Sequence, residues 1–233
     1  MSKISRRNRS VGRRIAARAD DPRVVRSRAA VVQAATTLFL DKGFGGTTME
    51  EIAALAGITK RTVYNNYTDK ETLFTQVVAD TLSYAGEFAR GLHGALTREP
   101  TATGLPAALH DLGRRLALGV LRPEIIALRR LLIREGRTAP GLAKEYFDRA
   151  PGRVISALAT EFETLSRLGF LRAPKSRLAA EQFAYLVVGE PLDRAMVVGT
   201  PPSKEHSLEC AREGVETFLA RYGTTRRSRR RKR

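Results

Sequence analysis

The sequence has a single cysteine, Cys210, and no apolar run as long as a membrane-spanning helix requires. One cysteine excludes an internal disulfide and a zinc site built from paired cysteines, so we expect a reducing, cytoplasmic compartment. Because a spanning helix needs roughly 20 consecutive apolar residues, we expect a soluble protein with no membrane partner. Arg6 and Arg7 imitate a twin-arginine signal, but no apolar segment follows them, so no export is expected.

The charge of the chain is concentrated at its two ends. The 233 residues carry a formal net charge of +17, with ten basic and two acidic residues in 1–28 and eight basic and no acidic residues in 221–233. Each end is therefore +8, whereas the 23 basic and 22 acidic residues between them give +1. Runs of like charge with nothing apolar to bury predict disorder, here a basic arm over 1–24 and an Arg-rich tail over 223–233. Nucleic acid is the favoured partner over a membrane surface, because neither end is amphipathic.

The middle of the chain is rich enough in apolar residues to build a core. With 42% hydrophobic and 28% charged residues, a chain of this length suits one or two globular domains of about 100–200 residues. Apolar residues recur at three- and four-residue steps from Arg28 onward, and no strand-like alternation of useful length occurs. The expected fold class is all α. The first helix is expected to end at Gly43, and a capping box that starts at Thr68 is expected to open the fourth.

The stretch between those helices has the pattern of a helix-turn-helix. Thr48 and Glu51 form a capping box that begins the second helix, and Gly57 ends that helix. Thr59 is placed to cap a short third helix over Lys60–Asn66, whose outward side is polar. Two short helices joined by a glycine-containing turn are typical of this motif, and a polar face can donate to base edges and phosphates. The alternative, an ordinary three-helix module with a polar surface, does not require caps, turn and polar face to occur together.

These residues resemble the signature of the tetracycline-repressor (TetR) family of transcriptional regulators. The resemblance lies in residues 47–67, TTMEEIAALAGITKRTVYNNY, and 69–74, DKETLF, with matching Leu-Phe and Gly-Phe pairs in the first helix. It implies a three-helix helix-turn-helix DNA-binding domain over 25–85, with the motif at 48–67. A larger helical ligand-binding and dimerisation domain would follow over 86–222.

The resemblance also assigns roles to particular positions. Thr48 would face a phosphate, as would Tyr64 and Lys70, while the start of the third helix would enter the major groove. Arg61 replaces the small residue usual at its position and adds a candidate reader of guanine. Tyr67 matches a position that is often aromatic and partly buried. The expected DNA-binding residues are Thr48, Thr59, Lys60, Arg61, Thr62, Tyr64, Asn65, Tyr67 and Lys70.

The expected function is sequence-specific regulation of transcription. The resemblance implies a homodimeric repressor that pairs through its last two long helices, binds double-stranded operator DNA and is released by a small-molecule effector. From the residues alone, the apolar stripes of those two helices fit an internal core equally well. The alternative function is an architectural protein that binds DNA largely without specificity through its Arg-rich ends. The sequence identifies neither the effector nor the operator.

The predicted DNA-binding head is not itself basic. Residues 29–75 contain four basic and five acidic side chains, a net charge of −1. Each neutralised phosphate contributes about 0.9 to the slope of log affinity against log salt, so the head alone should show modest electrostatics. We therefore expect residues 2–28 to act as an arm on the DNA beside the operator. Deleting them should weaken binding to every sequence and flatten the salt slope, and an unchanged slope would refute this role.

Other chemistry finds little support in the sequence. The histidines His93, His110 and His206 have no metal-ligand spacing among themselves, and no phosphate-binding loop or dinucleotide pattern occurs. We expect no enzymatic activity, no cofactor and no metal, and we expect Cys210 to be a packed thiol. Five residues are candidates to line an effector cavity, although each is more often a surface or helix-packing residue: His110, Glu135, Tyr146, Glu190 and Asp193.

Overall fold

The computed structural model describes residues 22–98, 100, 101, 103–136, 140–200 and 202–224. The described chain is helical throughout, which confirms the all-α prediction. The helices are α1 Pro22–Lys42, α2 Met49–Leu55, α3 Lys60–Asn66, α4 Lys70–Leu92, α5 Gly104–Val120, α6 Pro123–Glu135, α7 Pro140–Arg149, α8 Pro151–Arg167, α9 Ser176–Val198 and α10 Lys204–Tyr222. None of these helices combines the length and apolar content needed to cross a membrane.

The chain divides into two compact units, Met1–Ala79 and Asp80–Arg233, with the division inside α4. We call them the head unit and the larger unit. The division lies six residues before residue 85, where the sequence predicted the domain boundary.

The core of the head unit is small and aromatic. Phe39 of α1 meets Phe74 of α4 edge to face at a centroid distance of 5.1 Å, and Phe44 lies 5.0 Å from Phe74. Ile52 of α2 and Val63 of α3 are fully buried, so each short helix turns one face to the interior of the head unit. Burial of one face leaves the opposite face of each short helix to solvent.

Two boundaries of the head unit differ from the prediction. Helix α1 begins at Pro22 rather than Arg28, so residues 22–24 of the predicted disordered arm are helical. Proline suits a first helical turn because its fixed φ is already helical and its missing N–H would have no helical partner. Helix α4 is capped by Asp69 rather than Thr68, since the Asp69 carboxylate accepts from the Thr72 N–H at 2.7 Å. The rest of the predicted arm, residues 1–21, lies outside the described residues.

The core of the larger unit is built on a stack of aromatic rings from α8, α9 and α10. Phe218 of α10 contacts Phe162 at 5.0 Å, Phe183 at 5.1 Å and Tyr222 at 4.9 Å between ring centroids. The predicted apolar stripe of α8 is buried, and those of α9 and α10 are buried in part. Leu178 and Leu186 of α9 are 44% and 40% exposed.

A buried carboxylate closes the turn that follows α4. Glu161 of α8 is 4% exposed and accepts hydrogen bonds from the backbone N–H groups of Gly94 and Leu96 and from the Thr97 hydroxyl. A buried charge is tolerated where hydrogen bonds replace those of water. Glu161 therefore joins α8 to residues that are 64 to 67 positions away in the sequence.

The end of the described chain is tied to the larger unit. Gly223 forms an isolated antiparallel bridge with Leu171, and the Thr224 N–H donates to the Phe170 carbonyl at 3.3 Å. The sequence predicted that the disordered tail begins at residue 223, but Gly223 and Thr224 are ordered by these contacts. Residues 225–233 lie outside the described chain.

Candidate nucleic-acid interface

Hydrogen bonds of the capping box orient helix α2. The Glu51 N–H donates to the Thr48 hydroxyl oxygen at 3.2 Å, and the Thr48 N–H donates to the Glu51 carboxylate at 2.9 Å. The predicted capping box is confirmed. The Thr48 hydroxyl also donates to Glu51 at 3.0 Å, so its own proton is engaged within the box. The phosphate contact assigned to this hydroxyl stays a prediction and requires that proton to change partner.

The turn between α2 and α3 depends on a glycine. Gly57 has φ +66°, in the left-handed region that side chains with a Cβ rarely adopt. The N–H of the next residue, Ile58, donates to the Ala53 carbonyl at 3.1 Å and closes the turn. This closed turn holds the two short helices in a fixed relation, as a helix-turn-helix requires.

Helix α3 presents one buried and one exposed face. The Thr59 hydroxyl accepts from the Thr62 N–H at 3.3 Å and begins the helix, and Val63 is fully buried. The face opposite Val63 is polar and open to solvent, as predicted for a recognition helix. Its exposed residues are Lys60, Arg61, Tyr64 and Asn65, and Thr62 is half-buried.

The end of α3 is attached to α1. The Asn66 side-chain amide donates to the Thr62 carbonyl at 3.0 Å and to the Ser27 hydroxyl at 3.2 Å. Tyr67, one of the predicted DNA-binding residues, is only 8% exposed and belongs to the core of the head unit. These contacts hold the recognition helix against α1.

Two of the head's lysines are paired with carboxylates of α2. Lys60 pairs with Glu50, and Lys42 pairs with Glu51 at 2.8 Å. The hydrogen bond from Lys42, followed by those from the backbone and hydroxyl of Thr48, lowers the pKa of Glu51 from its ordinary 4.5 to about 2. The hydrogen bond from Lys60 lowers the pKa of Glu50, and that from Glu50 raises the pKa of Lys60. Both pairs are solvent-exposed, so they are readily exchanged for other partners.

Arg61 stands apart from these pairs. Among the residues that the structure describes, no carboxylate lies within ion-pair distance of its guanidinium, and the residue is exposed in the first turn of α3. A guanidinium presents donors in a planar fork that suits the two acceptors of guanine. The side chain is therefore available to a base without breaking an ion pair of the described head.

Lys70 has a structural role that the resemblance does not include. Its ammonium donates to the carbonyls of Phe44 at 2.7 Å and Thr47 at 2.8 Å, and lies 4.5 Å from the centre of the Phe44 ring. An ammonium has three protons, so two of them are engaged inside the head. The phosphate contact assigned to Lys70 stays a prediction, and at most one proton is free to make it.

The larger unit contains an apolar cavity of about 90 Å³. Its walls come from α4 to α9 and include four aromatic side chains, and Arg129 donates to the Tyr146 hydroxyl at 3.1 Å. An open depression of about 590 Å³ shares Arg129, Tyr146, Tyr185 and Leu192 with it. The aromatic residues of the cavity wall are Tyr84, Phe88, Tyr146 and Tyr185.

Only some of the residues weighed as cavity-lining lie there. Tyr146 lines both spaces and Asp193 lines the depression. His110 instead pairs with Glu216 at 2.8 Å and Glu190 pairs with Arg194 at 2.9 Å, and neither residue lines either space. Hydrogen bonds from Arg194 and then His206 lower the pKa of Glu190. Glu135 lies near Arg134, at 3.4 Å, and lines neither space.

Comparison with known families accounts for both units. The profile described as "Bacterial regulatory proteins, tetR family" matches residues 31–77, and that of "AefR-like transcriptional repressor, C-terminal domain" matches residues 107–224, half of the chain. The chain belongs to the TetR family of transcriptional regulators. As a TetR-family protein it is a DNA-binding regulator of transcription, and the resemblance found in residues 47–74 is confirmed.

Solved structures extend the similarity over most of the chain. A TetR-family regulator from Mesorhizobium loti is 34% identical, with a TM-score of 0.77, over 88% of this chain and all of that one. The "Flavonoid-responsive Regulator FrrA" is 29% identical, with a TM-score of 0.65, over 86% of this chain and 98% of that one.

A curated relative matches a quarter of the chain. The biofilm operon negative transcriptional regulator IcaR of Staphylococcus epidermidis is 33% identical over 58 residues, which are 25% of this chain. The match spans less than a third, 31%, of that relative's length.

Proposed function

We propose that this TetR-family protein is a homodimeric repressor that reads its operator through α3 and leaves it when an aromatic small molecule enters the larger unit. The exposed Arg61 at the start of α3 is the observation that carries the DNA-binding part. Lys60, Thr62, Tyr64 and Asn65 surround it on the same helix and complete the proposed reading surface, with Thr48 and Thr59 at the helix starts.

Exposed apolar side chains along α9 support the homodimer. Leu178, Leu186, Val197 and Val198 are 40% to 75% exposed in the single chain, whereas nine other residues of the helix are buried. Large apolar side chains at a surface favour a partner that removes them from water. A second copy of α9 and α10 meets that need and also supplies a second α3. Two recognition helices suit half-sites one helical turn apart, about 34–36 Å.

The cavity supports an effector with an aromatic, mostly apolar body. The four aromatic side chains of its wall suit stacking, and Arg129 offers donors to a carbonyl or phenolate oxygen. A volume of about 90 Å³ is below the roughly 300–1,000 Å³ of small-molecule sites, so binding requires the cavity to open. The adjoining depression gives it room to do so. The similarity to a regulator named flavonoid-responsive favours a polyphenol of that class.

Operator binding is tested by footprinting the intergenic DNA beside the protein's own gene. Affinity for the protected fragment and for a random duplex is then compared at physiological salt. A specific regulator should prefer its site by about 10³-fold or more. A ratio near one would refute the specific repressor.

Dimerisation and release are tested separately. Leu186→Glu should shift the sedimentation of the protein towards the monomer, whereas Ile133→Glu, at an exposed side chain of α6, should not. For release, a panel of flavonoids is compared with glucose for its effect on operator binding. Arg129→Ala should raise the concentration needed for release about tenfold and leave operator affinity unchanged without ligand. If the parent and Arg129→Ala are released by the same flavonoid concentration, the role of this cavity is refuted. The proposal that the protein binds its operator is not affected by that result.

A further inference from the structure

Three side chains with metal-binding atoms converge between α9 and α10. The His206 Nε2 lies 2.8 Å from the Glu190 Oε2, and the Cys210 Sγ lies 3.6 Å from the His206 Nε2 and 3.8 Å from the Glu190 Oε2. These ligand atoms of Glu190, His206 and Cys210 all lie within 4.8 Å of one another. In the part of the chain that the structure describes, no other three His, Cys, Asp or Glu side chains come together in this way. It lies apart from the effector cavity, whose lining includes none of the three.

The helices bring these residues together for identifiable reasons. His206 and Cys210 are four residues apart and therefore share one face of α10. The Ser203 hydroxyl accepts from the His206 N–H at 3.2 Å and sets the first turn of that helix. Helix α9 comes close because Gly214 lies against the Leu186 carbonyl, where an added Cβ would overlap the oxygen.

The spacing of the three atoms is close to that of a tetrahedral zinc site. With bonds of about 2.3 Å to sulfur and about 2.0 Å to nitrogen and oxygen, the S–N and S–O edges measure about 3.5 Å and the N–O edge about 3.3 Å. The observed S–N and S–O separations of 3.6 and 3.8 Å are within about 0.3 Å of these edges. The observed N–O separation of 2.8 Å is a hydrogen bond that an ion would replace. A shift of about half an ångström in one side chain is enough.

The surroundings suit a ligand carboxylate. The Glu190 Oε1 accepts from the Arg194 Nε at 2.9 Å, which orients the group and leaves Oε2 directed at His206 and Cys210. In the single chain Glu190 and His206 are half exposed, at 49% and 46% of their side chains, so an ion can enter the unpaired chain from solvent. A second His–Glu pair, His110 with Glu216 at 2.8 Å, has the same separation and serves as an internal comparison, because no thiol accompanies it among the described ligand groups.

The geometry points to a Zn²⁺ site formed by Glu190, His206 and Cys210, with a water molecule as the fourth ligand. Thiolate, imidazole and carboxylate together suit zinc, whereas magnesium and calcium prefer oxygen alone. On binding, the Cys210 thiol loses its proton to solvent and a Zn–S bond forms, while His206 coordinates through Nε2 as the tautomer with its proton on Nδ1, with no change in oxidation state. The ion ties the start of α10 to α9, in the part of the larger unit that we propose to dimerise.

The test uses the full chain, reduced and stripped of metal. Zn²⁺ is titrated in competition with a chromophoric chelator, and Co²⁺ is bound separately to record its absorption spectrum. We expect one ion per chain and a cobalt–thiolate charge-transfer band. Loss of a residue that only hydrogen-bonds a metal ligand lowers metal affinity by roughly 10- to 100-fold. Cys210→Ser and His206→Ala each remove a direct ligand, so each should lower zinc affinity by at least that much. Cys210→Ser should also abolish the band.

His110→Ala is the matched control and should bind zinc as tightly as the unaltered protein. Glu190→Gln provides a third variant should either of the others fail to show the helical circular dichroism of the parent. The proposal is overturned if zinc does not bind, if the cobalt spectrum has no thiolate band, or if the correctly folded variants bind as tightly as the parent.

Discussion

The two units of this protein start their helices in different ways. In the head unit, α2, α3 and α4 each begin at a side-chain oxygen that accepts a backbone N–H, from Thr48, Thr59 and Asp69. In the larger unit, α6 and α8 begin with proline, and neither has a hydrogen bond from a capping side chain. Helix α10 has a side-chain cap at Ser203, and at the start of α5 the Thr101 hydroxyl accepts from the Gly104 N–H at 2.9 Å.

The difference follows from helix length and burial. Helices α2 and α3 have seven residues each, and isolated helices shorter than about 12 residues are marginal in water. Capping bonds therefore contribute a large share of what holds them, and they also set where each helix starts. The helices of the larger unit's core have 17 to 23 residues and bury long stripes. Packing is the stabilisation that these helices share, and side-chain hydrogen bonds at the starts of α5 and α10 add to it.

The largest effect is expected from a substitution that creates a cavity in the core of the larger unit. Phe162→Ala should destabilise the larger unit by about 3–5 kcal/mol, because Phe162 is fully buried and contacts both Phe183 and Phe218. Denaturant unfolding followed by circular dichroism measures the change. Ile133→Ala, at a side chain 72% exposed, should change stability by less than about 0.5 kcal/mol. Similar losses for both would mean that burial does not govern this unit.

The next largest effect is expected at Arg61, which lies at the capped start of α3. Arg61→Ala should weaken operator binding by about 1–3 kcal/mol and relax the preference at one base pair. Arg61→Lys keeps the charge but loses the planar fork, so it should lose the base preference and keep the salt slope. Binding to the operator and to single-base variants of it at several salt concentrations separates the two effects. If Arg61→Lys retains the full preference, Arg61 contacts a phosphate and not a base.

Removing a cap should have a smaller effect on stability. Thr59→Ala should cost about 0.5–2 kcal/mol of head stability, because the Thr62 N–H loses its acceptor at the start of α3. Thr75→Ala is a suitable control: the Thr75 hydroxyl bonds the Glu71 carbonyl within α4, where alanine favours the helix. Thermal unfolding of both variants should show a loss for Thr59→Ala alone. Equal losses of thermal stability in the two variants would show that the cap at Thr59 stabilises the head no more than an interior threonine does.

The smallest expected effect is a pH dependence carried by Glu51. The folded state lowers the pKa of this carboxyl from 4.5 to about 2, so the stabilisation is complete above pH 4.5 and is lost as the pH falls towards 2. Glu51→Gln should therefore be less stable than the parent at neutral pH, and the difference should shrink below pH 4.5. The melting temperatures of both proteins between pH 2 and 7 provide the measurement. A constant difference would exclude the charged form of Glu51 as its cause.

Much of the head could be predicted from sequence because its information is local. A capping box spans four residues, and the turn at Gly57 needs one positive φ, so Thr48, Glu51 and Thr59 have the roles expected of them. Local patterns also misled at two helix starts. Proline at residue 22 was available as a start, and Asp69 competes with Thr68 as a cap; the carboxylate of Asp69 reaches the backbone N–H.

The roles of Lys70, Glu161 and Cys210 depended on distant residues. Lys70 meets carbonyls 23 and 26 positions away, and Glu161 closes a turn about 65 positions away. Sequence spacing gave no indication of either contact. The expectation that the chain has no metal site considered spacings between histidines. It did not consider His206 with Cys210, one helical turn apart, or a carboxylate on the facing helix.

The sequence by itself determined that this chain is helical, that residues 47–74 form a DNA-reading motif, and that its +17 charge lies mostly at its ends. These properties follow from periodicity, caps and composition, which act over a few residues. Tertiary structure decided which cations of the head are already engaged and which apolar residues of α9 are exposed. It also decided that Glu190 meets His206 and Cys210. Those outcomes depend on how helices pack, and packing brings together residues that the sequence keeps apart.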